Sequence, residues 1–116
     1  MEKRTVEMTL LLDFYGELLT EKQREYMELY YSEDFSLAEI AGLGGVTRQG
    51  VRDALQRAEA ALLEIEAKTG LLQRFSEVSK TAGEIQKTLR IIETRTGAKE
   101  TAPLFQEIYQ SLDTLI

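Results

Sequence analysis

Residues 36–62 read SLAEIAGLGGVTRQGVRDALQRAEAAL, and their spacing predicts two helices joined by a tight turn. Ser36 followed by Glu39 is a capping box: the serine hydroxyl accepts from a free backbone N–H, while the glutamate carboxylate reaches back to the cap's own N–H. A short helix is therefore expected from Leu37. It cannot run far, because Gly42, Gly44 and Gly45 each cost roughly 1 kcal/mol against alanine in a helix interior, and Gly45 can take the left-handed conformation of a sharp turn. Thr47 then caps a second helix. In it Val51, Ala54, Leu55, Ala58, Ala61, Leu62 and Ile65 recur at spacings of three and four, one stripe facing a core.

The opposite face carries Gln49, Arg52, Asp53 and Gln56, with Arg48 at its edge in the first turn and Arg57 next to Gln56. A helix that enters a DNA groove presents its base-reading and phosphate-reading side chains from this region. Arginine can make two parallel bonds to the guanine edge and glutamine can do the same for adenine, each good pair contributing about 1–3 kcal/mol of discrimination. Thr47, Arg48, Gln49, Arg52, Asp53, Gln56 and Arg57 are the candidate nucleic-acid-binding residues. Helix chemistry alone fits an ordinary solvated face equally well.

The chain has 116 residues, no Cys, no His and one Pro, with a formal charge of −6. That length suits one core without staples. Lacking Cys and His, it offers no disulfide, thiol nucleophile, imidazole base or usual zinc ligand, so no metal and no cofactor are expected. No apolar export segment or membrane span is apparent, and a cytoplasmic protein is expected. Abundant Leu, Glu, Ala, Lys, Gln and Arg predict an all-α fold.

Acidic proteins are repelled by phosphate as a whole, so the distribution of charge matters more than its total. Residues 1–46 carry net −6, residues 47–57 net +2, residues 58–70 net −2, and the last 46 residues balance at six and six. The basic island coincides with the start of the proposed reading helix. Three arginines make few phosphate contacts, so a monomer is expected to bind weakly, with a salt slope of roughly −0.9 per contact.

Upstream, TVEMTLLLDFYGEL (residues 5–18) places Val6, Leu10, Leu11, Phe14 and Leu18 at helical spacing, widened by Met8, Leu12, Tyr15 and Leu19, and predicts a buried first helix. Thr20 with Gln23 is a second capping box. It opens a helix expected from Glu21 to Ser32, with Tyr26, Leu29 and Tyr30 as its apolar stripe.

The runs LLTEKQREYMELYYSEDFSLAEIA and VTRQGVRDALQRAE, led by the more distinctive LLDFYGELLTEKQREY, resemble the YlxM family of small bacterial helix-turn-helix proteins, whose core is similar to region 4 of sigma factors. The resemblance covers residues 1–75 well. It implies a DNA-binding type of fold, a regulatory role and an association with the signal recognition particle pathway. On it, Ile40, Ala41, Val46 and Val51 pack the two helices together, and the candidate residues from Thr47 onward form the second helix's start and exposed face. Two departures stand out. Gly42 and Gly44 stand where better helix formers are usual, Gly44 where a bulky apolar residue would pack, and Arg52 stands where tyrosine is frequent.

Beyond a helix stop at Gly70, Phe75, Val78, Ala82, Ile85, Leu89 and Ile92 form a heptad-like seam that Gly97 ends. After Pro103, which suits a first helical turn, Leu104, Phe105, Ile108, Leu112, Leu115 and Ile116 share a face. The expected organisation is a helix-turn-helix domain over 1–70 and a helical extension over 71–116, a hairpin that packs on that domain or joins a homodimer. A dimer is favoured because the seam exceeds what a short hairpin buries. No pair of carboxylates is marked as acid and base, and GLGG lacks the lysine of a phosphate loop, so catalysis is not expected. Two functions stay open: a DNA-binding regulator, or an adaptor for the signal recognition particle's GTPase or RNA.

Overall fold

The computed structural model describes residues 2–116, with side chains from Thr5 onward. Every regular element among the described residues is helical: α1 (Glu2–Tyr15), α2 (Glu21–Met27), α3 (Leu37–Gly44), α4 (Arg48–Thr69), α5 (Leu71–Thr96) and α6 (Ala102–Asp113). A 3-10 turn, Gly16–Leu18, follows α1, and a wider π turn, Glu28–Ser32, continues α2. None of these helices is long and apolar enough to cross a membrane. The chain divides after Gly70 into two compact units.

In the first unit α4 is the central rod, packed by α1, α2 and α3. Its inward stripe follows the 3.6-residue period: Val51, Leu55, Ala58 and Leu62 are buried, with Ala54, Ala61 and Ile65 at the margin. Met27 and Ile40 meet the core with no exposed surface. Both capping boxes form. Thr20 Oγ1 accepts from Gln23 N and Ser36 Oγ from Glu39 N, each at 3.1 Å, while Gln23 and Glu39 return bonds to Thr20 N and Ser36 N.

The first helix departs from the expected stripe. Val6 (60% exposed), Leu10, Phe14 and Leu18 face outward, and Met8, Leu11, Leu12 and Tyr15 are the side chains that enter the core. Apolar residues stand on nearly every side of α1, and the tyrosine settles its orientation. Tyr15 donates its hydroxyl to Glu66 Oε1 (2.5 Å) and lies 2.7 Å from Thr69 Oγ1, both at the far end of α4. Along α2 the buried pair is Tyr26 and Met27, whereas Leu29 is partly covered and Tyr30 is exposed. The π turn adds one residue to that turn and aims Tyr31 at Glu59 on α4, to which its hydroxyl donates. Asp34, in the left-handed region at φ 59°, then reverses the chain, and Phe35 N closes on Leu29 O at 2.9 Å.

The second unit is the hairpin α5–α6. It buries Ala82 and Tyr109. Of the expected seam, Ala82 is buried and Leu89 half-covered, while Phe75, Val78, Ile85 and Ile92 keep substantial exposure. Tyr109 is the anchor that apolar spacing alone did not single out. Its hydroxyl donates to Glu93 Oε1 (3.0 Å) and Arg90 lies over its ring, 4.4 Å from the centroid. Burial and the neighbouring carboxylate of Glu93 push its phenol above the ordinary value, against a smaller opposing effect of Arg90.

Two adjacent leucines separate burial from composition. Leu62 has no exposed surface and Leu63 is 39% exposed. Leu62→Ala is expected to cost about 2–5 kcal/mol in urea unfolding and Leu63→Ala within about 0.5–1 kcal/mol. The second capping box gives a pH signature. The Ser36 backbone N–H, and then its hydroxyl, hold the Glu39 carboxyl below its ordinary value. A carboxylate depressed in the folded state stabilises above its unfolded pKa, and that contribution disappears as pH falls through the folded value. The difference in urea midpoint between the wild type and Glu39→Ala should therefore be full at neutral pH and shrink below about pH 4.

Candidate nucleic-acid interface

The turn between α3 and α4 is built from three backbone constraints. Gly45 ends α3 in the left-handed conformation (φ 63°, ψ 30°), and its N–H bonds back to Ala41 O. Val46 N reaches the same carbonyl at 3.1 Å. Thr47, extended at ψ 157°, then accepts from Gly50 N at 3.0 Å and starts α4. A Cβ at Gly50 would stand 3.2 Å from Thr47 Oγ1, so glycine there lets the cap close.

Ile40, Ala41 and Val51 are buried between the two helices; Val46 is not, remaining 39% exposed at the turn. The space beside Gly44 is taken by another element. A Cβ at Gly44 would meet the Tyr26 hydroxyl oxygen at 3.3 Å. Tyr26, buried on α2, therefore occupies the region into which a larger residue at position 44 would project.

All seven candidate residues, Thr47, Arg48, Gln49, Arg52, Asp53, Gln56 and Arg57, are exposed. By helical spacing Gln49, Asp53 and Gln56 lie along the side farthest from the buried stripe, with Arg48 and Arg52 on one flank and Arg57 on the other. Asp53 is occupied by a neutral neighbour: Gln49 Nε2 donates to its Oδ1 at 2.9 Å. The ion pairs of the described residues, Arg24 with Glu28 and Lys68 with Glu64, involve none of the three arginines. Their guanidiniums are accordingly available to an outside anion. Gln49 and Asp53 arrive as a joined pair: one Nε2 hydrogen is spent on the carboxylate, which leaves the second hydrogen and Oε1 for a base edge and fixes the direction in which the amide points.

Spacing in the sequence did not reveal the side chains that hold this rod in orientation. Tyr31 to Glu59 and Tyr15 to Glu66 and Thr69 attach α4 at two heights, across separations of 28 to 54 residues. Among the described residues no group of three or more acidic side chains is arranged to hold a metal ion.

Comparison with known proteins converges on one group. A family described as "Putative helix-turn-helix protein, YlxM / p13 like" matches residues 1–102. A UPF0122 protein of Thermoanaerobacter sp. is 45% identical over 108 residues, covering 93% of this chain and 92% of its own. One from Halalkalibacterium halodurans is 44% identical over 115 residues, 99% of each chain. A third, from Desulforamulus reducens, is 53% identical over 78 residues, 67% of each. Together with the capped helix pair and the glycine turn between its members, these matches establish that the chain belongs to the UPF0122 family of YlxM/p13-like helix-turn-helix proteins.

Proposed function

We propose that this protein is a DNA-binding regulator that lays the start of α4 in the major groove. The observation that carries this reading is the availability of Arg48, Arg52 and Arg57 on the exposed half of a rod whose other half is buried. Arg48 and Arg52 would read guanine or bind phosphate, Gln56 would read adenine, Thr47 would serve the backbone at the entry, and Arg57 would reach the opposite strand's phosphates. Gln49 and Asp53 form the middle of the face.

Electrostatics limits how tightly one copy holds. Outside residues 47–57, residues 1–70 carry 13 acidic side chains against five basic ones, and Asp53 is the one acid inside that segment. Three phosphate contacts give a salt slope of only about −2.7, whereas two copies on adjacent half-sites give about twice that. A homodimer is therefore the binding form in this reading, with 1–70 as the reading domain and 71–116 as the part that joins copies. The protein would work in the cytoplasm.

The surplus of acid favours a second reading, in which the same fold serves as an adaptor for a basic protein, the signal recognition particle's GTPase; the particle's RNA, a polyanion like DNA, would have to engage the same arginines. Fluorescence anisotropy separates the two. With a selected DNA duplex, Arg48→Glu combined with Arg52→Glu should remove binding, and the wild-type affinity should fall steeply with salt. Unchanged duplex binding by the double variant overturns the DNA reading; salt-dependent binding to the particle's RNA or GTPase, with none to duplex DNA, moves the function to the adaptor.

A further inference from the structure

The α5–α6 hairpin closes its seam differently on its two sides. One side is polar: Gln86 Nε2 donates to Asp113 Oδ1 at 3.2 Å, and Glu93, Tyr109 and Arg90 form the clasp described above. On the other side the helical spacing brings Val78, Ile85 and Ile92 of α5 beside Ile108, Leu112 and Leu115 of α6. Apart from Leu112, which is half-covered, these are 36–45% exposed. Both helices line the groove between them, where Ala82 forms the floor and Arg74 and Glu77 the rim.

We infer that this face is the surface on which a second copy of the chain docks, two hairpins completing a four-helix bundle. Charge argues for a second copy. The last 46 residues hold six basic and six acidic side chains, whereas residues 1–70 carry the whole net charge of −6. Two copies therefore repel through their helix-turn-helix units and meet without net repulsion through their hairpins. Arg74 and Glu77 give the rim both signs, so an isologous pairing can set opposite charges against one another.

Area points the same way. Five aliphatic side chains left nearly half exposed, with Leu104 beside them, amount to roughly 500 Å² per copy, and the pair covers on the order of 1,000 Å², where specific interfaces begin. A hairpin that buries only Ala82 and Tyr109 gains the core it lacks. The outward stripe of α1 has apolar residues too, but it belongs to the acidic unit and is the disfavoured alternative. This inference rests on the dimeric reading above and names the surface that provides it.

The test is made on the full chain without DNA, so failure of the groove reading leaves it untouched. Light scattering at tens of micromolar should give a dimer for the wild type and for Leu10→Glu, and a monomer for Ile85→Glu combined with Ile108→Glu, with helical circular dichroism retained. Because the chain has no cysteine, a single introduced thiol reports contact directly. Mild oxidation should link copies through Ile85→Cys or Ile108→Cys and not through Lys80→Cys. A monomeric wild type, a dimer that survives the double glutamate variant, or crosslinking only through Lys80→Cys overturns the inference. Arg48→Glu with Arg52→Glu should remain dimeric; if duplex binding is lost and the dimer persists, the two readings have been separated.

Discussion

The burial of one stripe of α4 governs this molecule. Val51, Leu55, Ala58 and Leu62 are driven inward because each removes aliphatic surface from water, and a rigid helix with one face committed has no freedom left to rotate. The position of every arginine and glutamine on the other face follows from that. The tyrosine bonds at Glu59 and at Glu66 with Thr69 act on the same helix at two heights and restrain its tilt and its rotation. Outward display of Arg48, Arg52 and Arg57 is thus a consequence of packing, and their own chemistry does little to impose it.

How much of this was legible in the sequence depends on the distance over which each feature is decided. The two capping boxes, the Gly45 turn and the Thr47 cap involve partners within five residues, and the inward stripe of α4 repeats at spacings of three and four, so spacing reveals them. The exposed candidate face was legible as the complement of that stripe. The side of α1 that turns inward was not, because Val6, Met8, Leu10, Leu11, Leu12, Phe14 and Tyr15 make an apolar helix with more than one plausible stripe. The choice depends on where Tyr15 finds its acceptors, more than fifty residues away. Tyr109 escaped notice for a similar reason: its burial depends on Glu93 and Arg90 across a helical turnaround.

The candidate face also contains a feature that hydrophobic spacing does not disclose. Gln49 and Asp53 stand one helical turn apart and close on each other, so the acid in the middle of the basic segment is held by an amide. Arg52, its sequence neighbour, points elsewhere around the helix. An arginine in place of Gln49 would form an ion pair with Asp53, neutralise that acid and raise the positive potential of the face.

The contact between Tyr26 and the Gly44 position bears on how such a sequence can change. A phenol on one helix and a side chain on the next compete for a single volume, so neither site drifts independently. Lineages that enlarge residue 44 would be tolerated after residue 26 shrinks or swings aside, and the reverse order meets a steric barrier. The effect of a substitution at residue 44 therefore depends on which side chain stands at residue 26, and the two positions are coupled wherever they are changed together.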